Sequence, residues 1–249
     1  MNTILKLDKV KASIDSKLII NDFNLEIGEG EIHVIMGPNG SGKSTLSKVL
    51  AGHPSYEIQT GNIYFNNENL LDLSPEERSH HGLFLAFQYP IEIAGVTNYD
   101  FLRIAYNERQ KYLNQPELDP LEFMNLVQIL LNKLKMRDEF LNRNLNEGFS
   151  GGEKKRNEIL QMLLLDPKMV ILDEIDSGLD IDALRIICEN ITSNLSKSSS
   201  VVVITHYPRI LEYLKPDFVH IMIQGKIVKT GGYELVEKLE ETGYSEFLE

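Results

Sequence analysis

The chain has 249 residues, 42% of them hydrophobic, and a formal net charge of −12 at pH 7. This length and composition suit a globular domain with a sizeable buried interior. The acidic balance argues against nucleic-acid binding, which depends on clustered Lys and Arg. Apolar runs such as 169–172 and 201–204 are far shorter than the roughly 18 residues of a membrane span. We therefore expect no nucleic-acid partner and no direct insertion into a membrane.

Cys188 is the only cysteine, so an intramolecular disulfide is impossible and a reducing compartment is expected. Leu184, Ile187, Ile191 and Leu195 lie on the same face of a predicted helix. This pattern favours burial of Cys188 as a small hydrophobe over a redox or ligand role.

Short alternating segments between Ile4 and Ile27, broken at Asp15-Ser16 and Asn21-Asp22, predict an antiparallel β layer. A Gly28-Glu-Gly30 turn then leads to an apolar strand at 32–36. A glycine-rich loop follows, and the chain continues as a predicted helix over 45–51 and a strand over 61–65.

Between about residues 100 and 143 the periodicity becomes helical, with apolar residues at i, i+4, i+7 and i+11: Phe123, Val127, Leu130 and Leu134. We interpret this region as a helical insertion. The elements expected after it are a strand at 170–173, a helix at 182–195, a strand at 201–205 and a hairpin-like pair at 219–223 and 226–229. Buried strands alternating with helices predict a mostly parallel sheet covered on both faces.

The glycine-rich loop matches the phosphate-binding pattern G-x4-G-K-S/T and lies between a buried strand and a helix, as that motif requires. Its residues are Gly37, Pro38, Asn39, Gly40, Ser41, Gly42, Lys43, Ser44 and Thr45. Glycines let backbone amides turn inward around phosphates, and the helix N-terminus adds its dipole. We expect Lys43 to neutralise the β- and γ-phosphates of ATP and Ser44 to ligate Mg²⁺.

Two acids, Asp173 and Glu174, end the apolar strand at 170–173, at the sheet edge where ligands bind. Asp173 is suited to orient Mg²⁺, and Glu174 to activate the attacking water as a general base. A strand ending in two solvated acids is common, so this pattern gains its meaning from the phosphate loop.

The segment 149–153, Phe-Ser-Gly-Gly-Glu, resembles the L-S-G-G-Q signature that defines the ABC family. The resemblance implies that Ser150, Gly151 and Gly152 reach the γ-phosphate held by a second copy of the chain, so that two ATP molecules lie between two subunits. In isolation such a tripeptide is most often only a helix cap.

Other family motifs follow in the family's order, and the resemblance assigns a role to each. Gln88 would sense Mg²⁺ and the water, Asp180 would couple the two half-sites, and His206 would hold the γ-phosphate. The remaining histidines lack metal-site spacing and stay unassigned.

The resemblance implies a P-loop NTPase of the ABC ATPase type: a single α/β domain over 1–249 with a mostly parallel central sheet, an antiparallel β layer and a helical insertion. Residues 1–87 and 150–249 would form the catalytic core, and about 88–149 the Q-loop and helical subdomain. Two features depart from the usual family pattern. No aromatic residue lies near Ile14 to stack on adenine, and Asp173-Glu-Ile-Asp176 replaces the D-E-P-T typical of transporter subunits.

A closer resemblance covers nearly the whole chain, and its main segments are 36–45, 87–90, 146–157, 176–183 and 205–207. These segments resemble the SufC family, the ATPases of the Suf iron–sulfur cluster assembly machinery. The resemblance implies a soluble complex with SufB- and SufD-like scaffold subunits, in which ATP draws two ATPase subunits together. A single cysteine agrees with a chain that does not itself carry the cluster. The alternative is the ATP-binding subunit of an ABC membrane transporter.

The segments 51–57 and 100–107 resemble the plastid and cyanobacterial branch of that family, and abundant Asn, Ile and Lys fits an AT-rich genome. The first ten residues alternate like a strand and show neither a signal nor a transit pattern. We expect a plastid-encoded stromal protein, with bacterial cytoplasm as the alternative. Either the chain works where it is made, or a presequence has been removed.

An apolar stretch beginning at Tyr89 follows Gln88 and precedes the signature, so both of its ends are tied to ATP. We expect it to receive the scaffold subunits through an exposed patch. The alternative is that its side chains only pack the helical insertion onto the core. The candidate residues are Tyr89, Pro90, Ile91, Ile93, Val96, Tyr99 and Phe101.

Overall fold

A computed structural model describes residues 2–247, and the chain divides into two compact units. The first unit comprises Met1–Leu85, Lys168–Glu174 and Ser196–Glu249, and the second comprises Ala86–Pro167 and Ile175–Leu195. The sequence-based division assigned residues 150–249 to the catalytic core. In the structure, the helices within 150–167 and 175–195 belong to the second unit.

The elements follow the expected alternation of strands and helices. The strands are β1 Thr3–Ile14, β2 Lys17–Gly28, β3 Ile32–Met36, β4 Glu57–Phe65, β5 Glu68–Asn69, β6 Leu83–Ala86, β7 Ile93–Thr97, β8 Asn144–Leu145, β9 Met169–Asp173, β10 Ser200–Ile204, β11 Phe218–Ile223 and β12 Lys226–Gly231. The helices are α1 Lys43–Ala51, α2 Pro75–His80, α3 Asn98–Tyr112, α4 Pro120–Lys133, α5 Gly151–Leu165, α6 Ile181–Asn194 and α7 Glu234–Thr242.

The antiparallel layer of the first unit is a four-stranded sheet in the order β2-β1-β4-β5. Asp15 and Ser16 join β1 to β2 with φ of 47° and 62°, the left-handed conformation that a two-residue hairpin turn requires. The break expected at Asn21-Asp22 is wrong, because β2 continues through it. One extra residue of β2 opposes β1 there, and Asp22 takes a φ of 53°, so the polar pair forms a bulge.

The central sheet has six strands in the order β12-β11-β3-β10-β9-β6. The pairs β11–β3, β3–β10 and β10–β9 are parallel, whereas β12 is antiparallel to β11. This arrangement confirms the predicted α/β fold with a mostly parallel sheet. The inner strands are apolar and buried along nearly their whole length, as expected when both faces of a sheet are covered.

The core of the first unit is formed by apolar side chains of both sheets together with α1, and it includes the fully buried Phe23, Phe65, Ile35 and Leu46. Arg78 binds the C-terminal end of α1. Its buried guanidinium donates hydrogen bonds to the carbonyl oxygens of Val49, Leu50 and Leu73 at 2.9–3.0 Å. It thereby satisfies carbonyl groups at the end of the helix that begins in the phosphate loop.

The second unit contains α3, α4, α5 and α6 and the small sheet formed by β7 and β8. The predicted stripe of α4 is confirmed, since Phe123, Val127 and Leu130 are all buried. Cys188 on α6 is 1% exposed, and burial raises the pKa of its thiol to about 12, which confirms a core role. No helix within residues 2–247 is long and apolar enough to cross a membrane.

Two histidines that the sequence left unassigned form a buried chain in the first unit. His33 Nε2 lies 2.9 Å from Glu31 Oε2, and His33 Nδ1 lies 2.9 Å from His220 Nε2. His220 Nδ1 in turn lies 2.9 Å from Thr230 Oγ1. Burial, with repulsion from His33 second, lowers the pKa of His220 to about 4. Burial also lowers the pKa of His33.

We expect acid to destabilise the fold through His220. Its folded-state pKa lies below the ordinary value near 6.5, so the unfolded chain binds more protons between about pH 6.5 and 4, and stability falls as the pH drops through that window. The loss attributable to His220 is on the order of 3 kcal/mol. Thermal melts of wild type and His220→Gln across this range test the expectation, with exposed His53→Gln as control. A variant that loses Tm as steeply as wild type would contradict it.

Candidate active site

Three adjacent parallel strands of the first unit end at the same edge of the sheet. The phosphate loop follows β3, Asp173 ends β9, and Thr205 and His206 follow β10. Because β10 lies between β3 and β9, with Ile204 opposite both Ile35 and Asp173, these segments meet. Open parallel sheets bind ligands at this carboxyl edge.

The glycines of the phosphate loop are required by its geometry. Gly40 and Gly42 have φ of 80° and 104°, and a Cβ on Gly37 would lie 2.1 Å from the carbonyl oxygen of Met222. The loop therefore exposes backbone amides where side chains would otherwise stand. Ser41 Oγ is buried and has no hydrogen-bond partner among residues 2–247, which fits a loop shaped to receive an anionic ligand.

Lys43, at the first position of α1, is only 5% exposed. Its Nζ donates to the carbonyl oxygens of Gly37 at 2.8 Å and Pro38 at 3.2 Å. Burial lowers the pKa of Lys43, and attraction to Glu174 and Asp173 opposes that shift. The loop thus holds the Lys43 ammonium group against two of its own backbone carbonyl oxygens.

The oxygen atoms around Asp173 suit a magnesium ion. Ser44 Oγ lies 3.4 Å from Asp173 Oδ1, and Ser47 Oγ donates to Asp173 Oδ2 at 2.6 Å. Hydroxyl and carboxylate oxygens are the ligands that Mg²⁺ prefers. Ser47 was missed in the sequence, although its spacing from Lys43 and Ser44 places it one helical turn beyond them on α1.

Glu174 has a φ of 49°, an uncommon conformation for a residue that carries a side chain. It is 8% exposed, and its N–H donates to the carbonyl oxygen of Ile204 at 2.8 Å. Its Oε1 lies 3.3 Å from Nδ1 of His206. Local strain of this kind concentrates at functional sites, which supports Glu174 as a reacting group.

The other predicted site residues belong to the second unit. Gln88 is half-buried two residues after the end of β6. Ser150 is the N-cap of α5, where its Oγ accepts from the N–H of Glu153 at 3.3 Å and Glu153 Oε2 accepts from the N–H of Ser150 at 2.7 Å. Asp180 is the N-cap of α6 and accepts from the N–H of Ala183 at 2.7 Å.

The two signature glycines are not required by the fold of the described chain. A Cβ on Gly151 would meet no heavy atom of residues 2–247 within 4 Å, and one on Gly152 would meet only Leu179, at 3.7 Å. Neither glycine has a positive φ. Glycine weakens a helix by up to about 1 kcal/mol relative to alanine, so a structural role alone does not account for both positions.

Comparison with known proteins identifies a family and several relatives that this chain resembles. The family model described as ABC transporter matches residues 20–177. The probable ATP-dependent transporter ycf16 of Cyanophora paradoxa is 60% identical over 97% of this chain and 93% of its own length. The chloroplastic ABC transporter I family member 6 of Arabidopsis thaliana is 54% identical over 91% of this chain and 67% of its own length.

Solved structures share the fold at low sequence identity. The ATP binding subunit of an ABC transporter superimposes with a TM-score of 0.81 at 22% identity, over 99% of this chain and all of that one. The ATP-binding cassette MJ0796, dimeric in a post-hydrolysis state with ADP and Pi, has a TM-score of 0.76 at 22% identity, over 92% of this chain and 98% of its own.

Proposed function

The chain belongs to the ABC transporter family, and we propose that it is the ATP-hydrolysing subunit of a soluble iron–sulfur cluster assembly complex in the plastid stroma. The chain is an ATP-binding cassette, and cassettes of this family hydrolyse ATP. The observation that carries the ATPase chemistry is the meeting of Lys43, Asp173, Glu174 and His206 at one edge of the central sheet.

We assign one chemical task to each of these groups. Lys43 and the loop amides bind the β- and γ-phosphates, and Glu174 accepts a proton from the water whose oxygen bonds to the γ-phosphorus as ADP leaves. His206, 3.3 Å from Glu174, holds the γ-phosphate. Ser44 and Asp173 would hold Mg²⁺, which would supply positive charge to the phosphate oxygens when bound. We assign Gln88 to sensing the metal and the water.

Catalysis is proposed to require two copies of the chain. Ser150 and Gly151 are exposed at the N-terminus of α5, where backbone amides and the helix dipole favour an anion. The room around both signature glycines leaves space for a phosphate bound to another subunit. MJ0796 forms dimers, which supports the same arrangement here. Asp180, exposed at the start of α6, is assigned to coupling the two half-sites.

Two functions, iron–sulfur cluster assembly and membrane transport, are compatible with this ATP-hydrolysing site. The residues 146–157 and the Asp173-Glu-Ile-Asp176 segment support cluster assembly, with SufB- and SufD-like subunits as partners. The names of relatives, among them a probable ATP-dependent transporter, favour the alternative of a transporter subunit. The chloroplastic relative of Arabidopsis thaliana supports the plastid assignment.

The partner separates the two functions. The tagged chain would be purified from its own compartment in two samples, one without detergent and one solubilised with detergent, and the co-purifying proteins would be identified by mass spectrometry. Scaffold subunits of a soluble cluster-assembly complex would support the proposal. Recovery only with a membrane-spanning permease, in a detergent-solubilised sample, would overturn it in favour of transport.

The segment after Gln88 supports the proposed docking of the scaffold, although only part of the expected patch is exposed. Tyr89 is 79% exposed and Ile91 62% exposed. Tyr99 instead packs its ring on Phe123, with centroids 5.5 Å apart, and donates its hydroxyl to the carbonyl oxygen of Pro120 at 3.1 Å. Tyr99 therefore packs within the second unit, and Pro90, Val96 and Phe101 are half-buried. The candidate docking residues reduce to the exposed Tyr89, Ile91 and Ile93.

We expect Ile91→Glu to weaken the complex with the scaffold subunits by at least about tenfold, because a charge would replace an exposed apolar contact at the interface. Leu121→Glu is the matched control, since Leu121 is 70% exposed on α4 of the same unit. Both variants should melt within a few degrees of wild type. Binding and thermal stability are measured together. Unchanged scaffold affinity of the Ile91 variant, or equal losses in both variants, would remove this surface from the proposal.

A further inference from the structure

Two buried charged side chains of α5 hold the backbone at Phe87 and Gln88. Lys155 Nζ donates to the carbonyl oxygens of both residues, each at 2.7 Å. Glu158 Oε1 accepts from the N–H of Phe87 at 2.8 Å. Lys155 and Glu158 are each 4% exposed. Together they occupy both backbone groups of Phe87 and the carbonyl group of Gln88.

Packing alone does not explain this pair of charges. Taking charged groups out of water is costly, and apolar residues of similar volume usually fill such positions at least as well. Glu158 Oε2 is buried without a hydrogen-bond partner in the described part of the chain, and it lies 4.0 Å from Lys155 Nζ. Burial raises the pKa of Glu158 to about 7 against the opposing effects of Lys155 and the Phe87 N–H. The two side chains instead fix the position of the backbone at Phe87 and Gln88 through directional hydrogen bonds.

The same helix also fixes the chain that leads into the signature. Asn157 exchanges side-chain hydrogen bonds with Asn98 at 2.8 and 3.1 Å, and its Nδ2 donates to Asn146 Oδ1 at 2.9 Å. Ser150, at the start of α5, lies about 12 Å along the helix from Glu158, at about 1.5 Å per residue. The single helix α5 therefore begins at the signature serine and also holds the backbone of Gln88 by a hydrogen bond.

We propose that Lys155 and Glu158 are positioning residues that fix the main chain of Gln88 for hydrolysis and make its placement depend on that of the signature. The inference rests on the proposed roles of Gln88 and Ser150. Neither side chain has to touch nucleotide, because both act through the backbone of the segment that carries Gln88. Loss of these hydrogen bonds therefore lowers kcat. It leaves nucleotide affinity unchanged, because the phosphate loop of the first unit provides that affinity.

A double-mutant cycle between Glu158→Met and Gln88→Ala tests the proposal in the full-length chain under conditions in which the wild type turns over ATP. Glu158→Met alone should lower kcat about 10- to 100-fold, the range expected for a misplaced catalytic group. Its Kd for ATP should stay within about twofold of wild type, because the phosphate loop remains intact. In the Gln88→Ala background the same substitution should cost less than about twofold in kcat, since both changes remove one function.

Two further variants separate positioning from stability. Glu158→Gln keeps an oxygen that accepts from the Phe87 N–H, and it should recover most of the lost kcat. Ile159→Ala, 1% exposed on the same helix, is the matched control; it should lower Tm and combine additively with Gln88→Ala. If Glu158→Met does not fold, Lys155→Met is taken through the same cycle.

The outcomes distinguish this inference from the function on which it rests. Additive losses in the Gln88→Ala background, or a Glu158→Gln variant as impaired as Glu158→Met, would overturn the positioning role. A weakened Kd for ATP with unchanged kcat would overturn it as well. Wild-type turnover by Gln88→Ala itself would instead show that the role assigned to Gln88 is wrong.

Discussion

Replacing Glu174 by Gln is expected to lower kcat by about 100-fold or more while ATP still binds, because a neutral amide cannot accept the proton of the attacking water. The position supports such a loss. Glu174 is 8% exposed, has a φ of 49°, and lies 3.3 Å from His206. With hydrolysis blocked, ATP should remain between two chains, so the variant should accumulate as a dimer in ATP and remain monomeric in ADP.

Steady-state turnover, nucleotide affinity and size-exclusion chromatography in ATP and in ADP together measure this result. Lys43→Ala is the contrasting variant. It removes the cation held at 2.8 Å from the Gly37 carbonyl oxygen, and it should weaken nucleotide binding about 10- to 100-fold. Near-normal turnover by Glu174→Gln would exclude this residue as the base.

Mixing two inactive variants is expected to restore activity. In a mixed dimer of Lys43→Ala and Ser150→Arg chains, one composite site combines an intact phosphate loop with an intact signature. The other composite site carries both defects. A 1:1 mixture with random pairing in a two-fold dimer should therefore recover roughly a quarter of wild-type activity. Ser150 is exposed at the start of α5, so the arginine can be accommodated without disturbing the core.

The matched control is a mixture of Lys43→Ala with Asp173→Asn, which should stay inactive because both defects lie in the phosphate-loop half of the site. Wild-type activity per subunit should also rise with protein concentration, since the proposed active species is a dimer. Activity that is independent of concentration, together with no recovery in the first mixture, would remove the two-chain model.

Local sequence determined the helices, strands and phosphate loop of this protein, because the residues that specify each of them lie close together in the chain. The phosphate loop has a fixed spacing, with glycines at two positions that have φ of 80° and 104°. At a third, Gly37, an added Cβ would lie 2.1 Å from a carbonyl oxygen, so other residues do not fit. Strand β3 has the predicted bounds, and the helical stripe of α4 is buried as its periodicity indicates. The apolar run of β9 likewise predicted a buried strand that ends at the two acids Asp173 and Glu174.

Tertiary structure decided the features that depend on distant parts of the chain. The order β3-β10-β9 brings His206 to Glu174, and no local pattern encodes that order. The polar pair Asn21-Asp22 resembles a turn in sequence but forms a bulge, because the paired β1 holds the strand on either side. Glu158 resembles an ordinary helical carboxylate until folding places the Phe87 N–H within 2.8 Å of it. Short-range patterns specify backbone conformation, whereas the partners of a buried polar group are set by which segments pack together.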